Sequence, residues 1–258
     1  YKIRQDYKDF VNHQLFSLGY TYMKGADLTA SYTYRTFGRM RDREINPRGG
    51  RQLYVRYDRM FNYLIKGFKD SGLIEEIYDR YFYNQITLDW REYLGLPWGR
   101  HTLGWRLSGG FIDRNVDVFF HSHLGGLPGM RGYTYYALSG RKTAMTGLTY
   151  RFPIVTEWKQ RLGPLYLDKL YGAVFADIGR AWDSDATNWK QEGFVRDAGA
   201  QVRMDLVSFY TYPSALELDV AYGFDEETGN RPWKIYFSLL FGYVDSAGDR
   251  FQAGLLPH

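Results

Sequence analysis

Strict alternation of apolar and polar side chains in the last third of the chain is the feature that most limits how this sequence can fold. Segments 194–206, 214–224 and 233–243 each place apolar residues at every second position, and the intervening positions carry mainly charged, polar or small residues. This period of two is that of a β-strand, in which successive side chains point to opposite faces. Aromatic residues lie near the ends of the apolar faces, as in the interfacial girdles of transmembrane barrels.

Seven segments upstream show a weaker alternation and predict further strands: 14–22, 27–37, 51–63, 80–92, 101–113, 141–152 and 167–179. The total is about ten strands, each near the ~9–11 residues that cross a bilayer at a tilt. In the fifth segment, Arg106 and Ser108 are expected to face inward and the apolar residues outward. We therefore predict an all-β fold, a transmembrane antiparallel β-barrel. A soluble β-sandwich also alternates and is the alternative, although its apolar face is not expected to carry aromatic rims.

Composition narrows the class of protein further. Aromatic residues make up 19% of the chain, but no run approaches the ~18 apolar residues of a spanning helix, which excludes a helical membrane protein. The absence of cysteine excludes disulfide scaffolds, thiol nucleophiles and zinc ribbons. The 33 basic and 29 acidic residues are interleaved and give a net charge of +4, so nucleic acid is not expected as a partner.

The connections between predicted strands suggest an orientation if the final strand runs towards the periplasm. The outer connections are then 64–79, 114–140, 180–192 and 225–231, and the opposite side has 38–50, 93–100, 153–166 and 207–213. No Pro-rich or low-complexity linker divides the chain. We therefore expect one barrel domain over residues 1–243, followed by a C-terminal tail at 244–258.

Three stretches of the sequence resemble a known family. The long connection contains Met130-Arg131-Gly132-Tyr133, and the next strand ends Thr149-Tyr150-Arg151-Phe152-Pro153. These residues resemble the outer-membrane assembly-factor superfamily, the bacterial surface antigen barrels that include BamA, TamA and the two-partner secretion transporters. In that family a Val-Arg-Gly-Phe/Tyr motif closes the sixth extracellular loop, and here Met130 replaces Val. Residues 175–182 are similar to the family's Phe-x-Asp-x-Gly-x-x-Trp strand, whose Asp, here Asp177, faces the lumen.

The resemblance implies that this chain is the C-terminal part of a 16-stranded barrel with five strands after the motif loop, the number predicted between residues 141 and 243. Fewer strands precede the loop than the family has, so we expect the start of the protein to be missing from this sequence. We expect loop 114–140 to fold into the lumen, where Arg131 can meet Asp177 as a guanidinium–carboxylate pair. The alternative is that Arg131 is a solvated loop residue and Asp177 is one of many acids in the lumen.

The resemblance also implies function: insertion or translocation of polypeptides at the bacterial outer membrane. Such barrels handle client polypeptides at a weak seam between the first and last strands, by pairing with an exposed edge. The residues expected at this seam are Trp233, Phe237, Gly242 and Tyr243. Expected partners are outer-membrane lipids, client polypeptides or other subunits of an outer-membrane complex, and periplasmic modules upstream of this chain. A passive pore or an anchoring barrel in a larger complex is the alternative.

Other candidate sites are weaker, and we expect neither an enzyme nor a cofactor. His121 and His123 could form part of a metal site, but the sequence favours two exposed loop histidines. Residues 140–143 only imitate a phosphate loop, because strands are predicted on both sides. An acid pair for catalysis could come from Asp197, Asp205, Glu217 and Asp219. The sequence favours instead charges in a water-filled lumen, balanced by Arg203 and Arg106.

Overall fold

The computed structural model describes residues 2–11, 14–36, 48–70, 74–183, 193–209, 212–225 and 232–241. Almost all regular structure in these ranges is β-strand, and the exception is one turn of 3-10 helix at Val118–Phe120. No helix within the ranges described is long and apolar enough to cross a membrane. The predicted all-β class is confirmed.

Ten strands form a continuous antiparallel path: β1 (Lys2–Val11), β2 (Gln14–Arg35), β3 (Gly49–Asp70), β4 (Ile74–Gly95), β5 (Thr102–Ile112), β8 (Lys142–Val155), β10 (Leu165–Trp182), β11 (Val195–Ser208), β12 (Tyr212–Gly223) and β13 (Trp233–Phe241). Short β9 (Gln160–Leu162) pairs with β10, and β6 (Ser122–Leu124) pairs with β7 (Leu138–Gly140) as a separate hairpin. Among the described residues, no ladder joins β1 to β13. The sheet is therefore the antiparallel sheet of the predicted barrel class, unclosed in this part of the chain.

The strand boundaries near the start correct the sequence prediction. Segments 14–22 and 27–37 were expected to be separate strands, but β2 continues through both and β1 precedes them. The link between them does not turn, because Met23 and Lys24 pair with Leu64 and Tyr63 of β3 and the ladder runs on through Gly25. A glycine weakens a strand but does not break it when a neighbouring strand supplies hydrogen bonds.

The outer connection predicted at 64–79 is also wrong, because most of it is strand. β3 extends to Asp70 and β4 begins at Ile74. β5 pairs with β4 only between Gly95 and Gln85, so residues 74–84 of β4 extend past the end of β5. This extension is about 35 Å of strand. With its β3 partner it forms a ribbon on the same side as the connection from β5 to β8.

Side chains on the two faces of the sheet are distributed opposite to those of a soluble protein. Phe237 is 69% exposed, and Leu148, Val174 and Leu218 are exposed on the same outer face. The inner face holds buried polar residues, among them Asp58, Asp89, Arg203 and Asp219. An apolar exterior around a polar interior is the arrangement of a transmembrane barrel, whereas a sandwich buries its apolar face.

The start of the β5–β8 connection packs on the inner face of the ribbon formed by β3 and β4. Phe120 is buried there, with its ring centroid 5.3 Å from that of Tyr81 and 5.8 Å from that of Tyr83. Met23 and Ile112 complete this aromatic cluster. The ribbon therefore supports the connection at the point where it leaves β5.

Replacing Phe120 by Ala should destabilise this cluster by about 3 kcal/mol, because the ring is buried and its loss leaves a cavity. We expect faster amide exchange in residues 113–121, measured by hydrogen–deuterium exchange of the protein in detergent. Val118→Ala is the matched control, since Val118 is 64% exposed in the same turn. Equal exchange in the two variants would mean that the cluster does not hold the connection.

Candidate functional site

The connection from β5 to β8, residues 113–141, lies against the inner face of the sheet. Its β6–β7 hairpin packs on β10. Gly140 lies so close to the β10 backbone that a Cβ on it would be 2.6 Å from the backbone nitrogen of Trp182. At the loop tip Gly125 and Gly126 have φ angles of 124° and 80°, a region open to glycine. Gly126 N donates to Tyr133 O at 3.1 Å, which closes the tip.

Met130 begins the motif in a left-handed conformation, with a φ of 63°. Its side chain is fully buried and packs with Leu124, Tyr133 and Met145 in a small apolar core. A β-branched residue is a conformational outlier at positive φ, so unbranched Met suits this position better than the family's Val. The turn at Met130 brings the next three residues to the strands after the loop.

Arg131 lies among two carboxylates and an aromatic ring. Its Nη1 is 3.2 Å from Asp219 Oδ1, and its Nε is 3.8 Å from Asp177 Oδ2. The guanidinium carbon lies 3.2 Å from the ring centroid of Phe175, a cation–π contact. The shorter acid contact is with Asp219 on β12, and the sequence analysis did not pair this residue with Arg131. The alternation of β12 places Asp219 on the inner face and was the available signal.

Gly132 fits where no side chain can. Its backbone nitrogen donates to Asp197 Oδ2 at 2.7 Å. A Cβ on Gly132 would lie 2.6 Å from Asp197 Cβ and 2.7 Å from Gly223 N. The loop backbone therefore packs directly on β11 and β12, and glycine is required for this approach.

Tyr133 contacts the start of β11, the residues just after β12, and β13. Its hydroxyl donates to Arg196 O at 3.0 Å and accepts from Asp225 N at 3.3 Å. Burial raises the pKa of the Tyr133 phenol, so the hydroxyl stays protonated and can donate. The carbonyl of Tyr133 accepts a hydrogen bond of 3.0 Å from the Tyr236 hydroxyl of β13.

Together Arg131, Gly132 and Tyr133 contact β10, β11, β12 and β13, and we call these residues with their strand partners the loop lock. These three consecutive residues combine different kinds of contact. Arg131 makes charge-assisted contacts, Gly132 makes a close backbone contact, and Tyr133 contributes its phenol. The arrangement can hold the loop on the inner face and couple it to the last described strand.

An open cavity of about 170 Å³ lies beneath the loop tip. Five arginines line it: Arg91, Arg106, Arg131, Arg151 and Arg203. Arg106 supports the tip from β5, since its Nη1 donates to Pro128 O at 2.5 Å and its Nη2 donates to Asp89 at 2.6 Å. Much of the inner face is thus a network of arginine–carboxylate pairs around polar space.

The acidic residues considered for catalysis belong to this network. Arg203 donates to Asp205 at 3.0 Å and to Glu217 at 2.8 Å, while Asp197 and Asp219 bind the loop. Paired carboxylates of this kind fit a structural role better than acid–base chemistry.

The remaining predicted residues lie elsewhere. Trp233 and Phe237 are exposed on the outer face of β13, whereas Gly242, Tyr243 and the predicted tail at 244–258 are outside the described residues. His121 Nε2 is 3.7 Å from Asp183 Oδ1, a carboxylate the sequence analysis missed.

Burial, and secondarily the charge of His121, lowers the pKa of His123, so His123 is neutral at pH 7. Neutral imidazole can bind a metal ion, but a site needs at least three ligands from the protein. No group of three or more potential metal ligands exists in the part of the chain that the structure describes.

Comparison with known proteins agrees with this architecture. The Omp85 superfamily domain matches residues 2–240, nearly the whole chain, and confirms the resemblance to the BamA and TamA type of barrel. No curated protein matches the chain. The superfamily consists of outer-membrane barrels of the assembly and translocation type, whose members work in complexes with other subunits. An antiparallel sheet with an apolar exterior, an inward-folded Arg-Gly-Tyr loop and a family match over residues 2–240 lead to one conclusion: the chain belongs to the Omp85 superfamily.

Proposed function

We propose that this chain forms the membrane part of a barrel that inserts or translocates polypeptides at the bacterial outer membrane. The observation that carries the proposal is the loop lock, in which three consecutive residues contact all four strands from β10 to β13. A loop whose only role was to fill the lumen would need large side chains but no specific contacts with the strands. This loop instead makes directional contacts that reach the last described strand.

The proposed mechanism uses the free side of β13. Among the described residues β13 pairs with β12 alone, so its other edge can accept a strand of a client polypeptide by β-augmentation. The hydrogen bond from Tyr236 to Tyr133 O ties β13 to the loop from inside. Movement of β13 during client pairing would strain or break this bond. The position of the loop would then be coupled to whether the edge of β13 is free to pair with a client strand.

The seam residues fit this role by their position. Trp233 and Phe237 project to the outer face of β13, where a client strand entering the bilayer would meet them. The proposed partners are client polypeptides, outer-membrane lipids, and periplasmic modules or other subunits that deliver the client. We propose no enzymatic step, since the inner-face acids serve as partners of Arg131, Arg203 and the Gly132 amide.

A passive pore with the loop as plug is the second candidate, and the open cavity beneath the loop tip favours it. The five arginines that line that cavity are accompanied by Asp177 and Glu217, so a conducting lumen there would carry charges of both signs. The two functions predict different effects of releasing the loop from the strands. Loss of client assembly is expected for a translocating barrel, and larger ion conductance is expected for a plugged pore.

Replacing Arg131 by Ala removes the contacts with Asp219, Asp177 and Phe175 and leaves two buried carboxylates without that cation. We expect assembly of an unfolded outer-membrane barrel substrate into liposomes that hold the protein to slow by about tenfold or more, since breaking a buried pair costs several kcal/mol. Arg131→Lys should also be impaired, because an ammonium lacks the planar fork.

Arg114→Ala is the matched control, since Arg114 is an exposed arginine of the same loop. Circular dichroism and heat-dependent gel mobility should show that all three variants contain folded barrels. Unchanged assembly in Arg131→Ala together with larger ion conductance in planar bilayers would contradict the proposal and support the plug.

Replacing Tyr236 by Phe tests the link to β13 alone. The variant loses the hydrogen bond to Tyr133 O but keeps the ring, which packs 5.9 Å from that of Tyr135. A neutral hydrogen bond contributes about 1 kcal/mol, so we expect a change in client assembly of roughly fivefold without loss of the barrel. Tyr222→Phe is the control, because Tyr222 packs against Trp233 on the outer face. Equal rates of client assembly in Tyr236→Phe and Tyr222→Phe would mean that the hydrogen bond between the loop and β13 has no part in client assembly.

A further inference from the structure

The outer face of β2, β3 and β4 carries residues in rows across the three strands. The apolar rows are Tyr34–Leu53–Trp90, Tyr32–Val55–Leu88 and Ala30–Tyr57–Ile86, followed by Leu28–Arg59–Asn84, Ala26–Phe61–Phe82 and Lys24–Tyr63–Arg80. The rows change from apolar to basic and aromatic towards the ribbon. We call Lys24, Arg59 and Arg80, with Phe61, Tyr63, Tyr78 and Phe82, the basic aromatic patch.

The height of this patch follows from the other end of the same strands. Arg51 and Glu92 form an outward-facing ion pair of 3.2 Å there, below the apolar rows. From Arg51 to Tyr63 the strand rises about 30 Å along the barrel axis, with a tilt of ~40°. This is about the thickness of a bilayer core. With the Arg51–Glu92 pair taken as one membrane interface, the row of Lys24 and Arg80 lies at the headgroup level of the other, on the side of the motif loop.

Aromatic rings position the cations of the patch. Lys24 Nζ lies 3.8 Å from the ring centroid of Tyr78 and 5.8 Å from that of Tyr63. The guanidinium of Arg59 is 5.2 Å from the ring of Phe61 and donates to Asn84 Oδ1 at 3.0 Å. Cation–π contacts fix a charge without neutralising it. The ring contacts thus leave the charges of Lys24 and Arg59 intact, and Glu76 is the carboxylate that interacts with Lys24.

The rings themselves form a continuous surface. Phe82 contacts both Phe61 and Tyr63 edge to face, with centroids 5.5 Å apart in each pair. Amphipathic and aromatic side chains at this depth suit the boundary between acyl chains and headgroups.

Two carboxylates border the patch, and both accept hydrogen bonds from the protein. Glu76 accepts from the Tyr78 hydroxyl and, at 2.8 Å, from Thr21 N. Asp113 accepts from the backbone and side-chain nitrogens of Asn84, at 2.8 and 2.6 Å. The patch contains the three cations Lys24, Arg59 and Arg80, and the bordering acids Glu76 and Asp113 already accept hydrogen bonds. The patch is therefore suited to a negatively charged ligand.

We propose that the basic aromatic patch binds the phosphate groups of an anionic lipid in the outer leaflet. Lys24 and Arg80 contact the phosphates, Arg59 reaches up from the row below, and the acyl chains lie along the apolar rows of Tyr32, Val55 and Leu88. Charge complementarity at headgroup level selects a phosphate-bearing lipid over a protein partner. The site is on the opposite surface of the sheet from the loop lock and does not depend on polypeptide handling.

The test titrates the full chain in a neutral detergent with diphosphorylated lipid A and counts bound lipid by native mass spectrometry. Arms with dephosphorylated lipid A and with inorganic phosphate distinguish the lipid headgroup from acyl chains alone and from free anion. We expect the double variant Lys24→Ala/Arg80→Ala to bind the phosphorylated lipid at least about tenfold more weakly than the unaltered chain. Lys24→Arg should retain most of the binding.

Arg51→Ala is the matched control, since it removes an outward-facing cation from the same sheet at the opposite membrane interface. Its affinity should equal that of the unaltered chain. Equal binding of phosphorylated and dephosphorylated lipid, unchanged binding in the double variant, or an equal loss in Arg51→Ala would each overturn the proposal. Heat-dependent gel mobility checks that every variant contains the folded sheet.

Discussion

The contact of the Arg131 guanidinium with Asp219, Asp177 and Phe175 is the interaction on which the arrangement of the inner face depends. Asp177 and Asp197 face each other across β10 and β11, and Asp219 follows on β12. Buried carboxylates so close together need a cation and amide donors. The loop brings both, one from Arg131 and one from Gly132, so the acids and the loop stabilise each other.

The alternation of side chains predicted the strands after the loop well, because each of them has one face towards lipid and the other towards polar space. It failed at residues 64–79, where β3 and β4 continue as a two-stranded ribbon past the end of β5. In the adjoining residues Tyr81 and Tyr83 turn inward towards Phe120, while Phe82 on the other face contacts Phe61, so both faces are aromatic there. Period alone does not identify which face meets lipid.

The candidate site was predicted in part. The Arg-Gly-Tyr motif marked the loop residues, and the similarity of residues 175–182 to the family's strand motif marked Asp177. The closer contact with Asp219 and the hydrogen bond from Tyr236 depend on how far the loop reaches across the sheet, which is a property of tertiary packing. The basic aromatic patch was also missed, since its rows exist only once β2, β3 and β4 are in register.

The close packing of Gly132 on Asp197 and Gly223 fixes the register of the loop. Neither neighbouring residue of the motif can take the place of Gly132, because any side chain would collide with the backbone of β12. Sliding of the loop by one position is therefore excluded. The steric fit thus allows a single register of the loop on β11 and β12, and any other seating would first have to lift Gly132 off these strands.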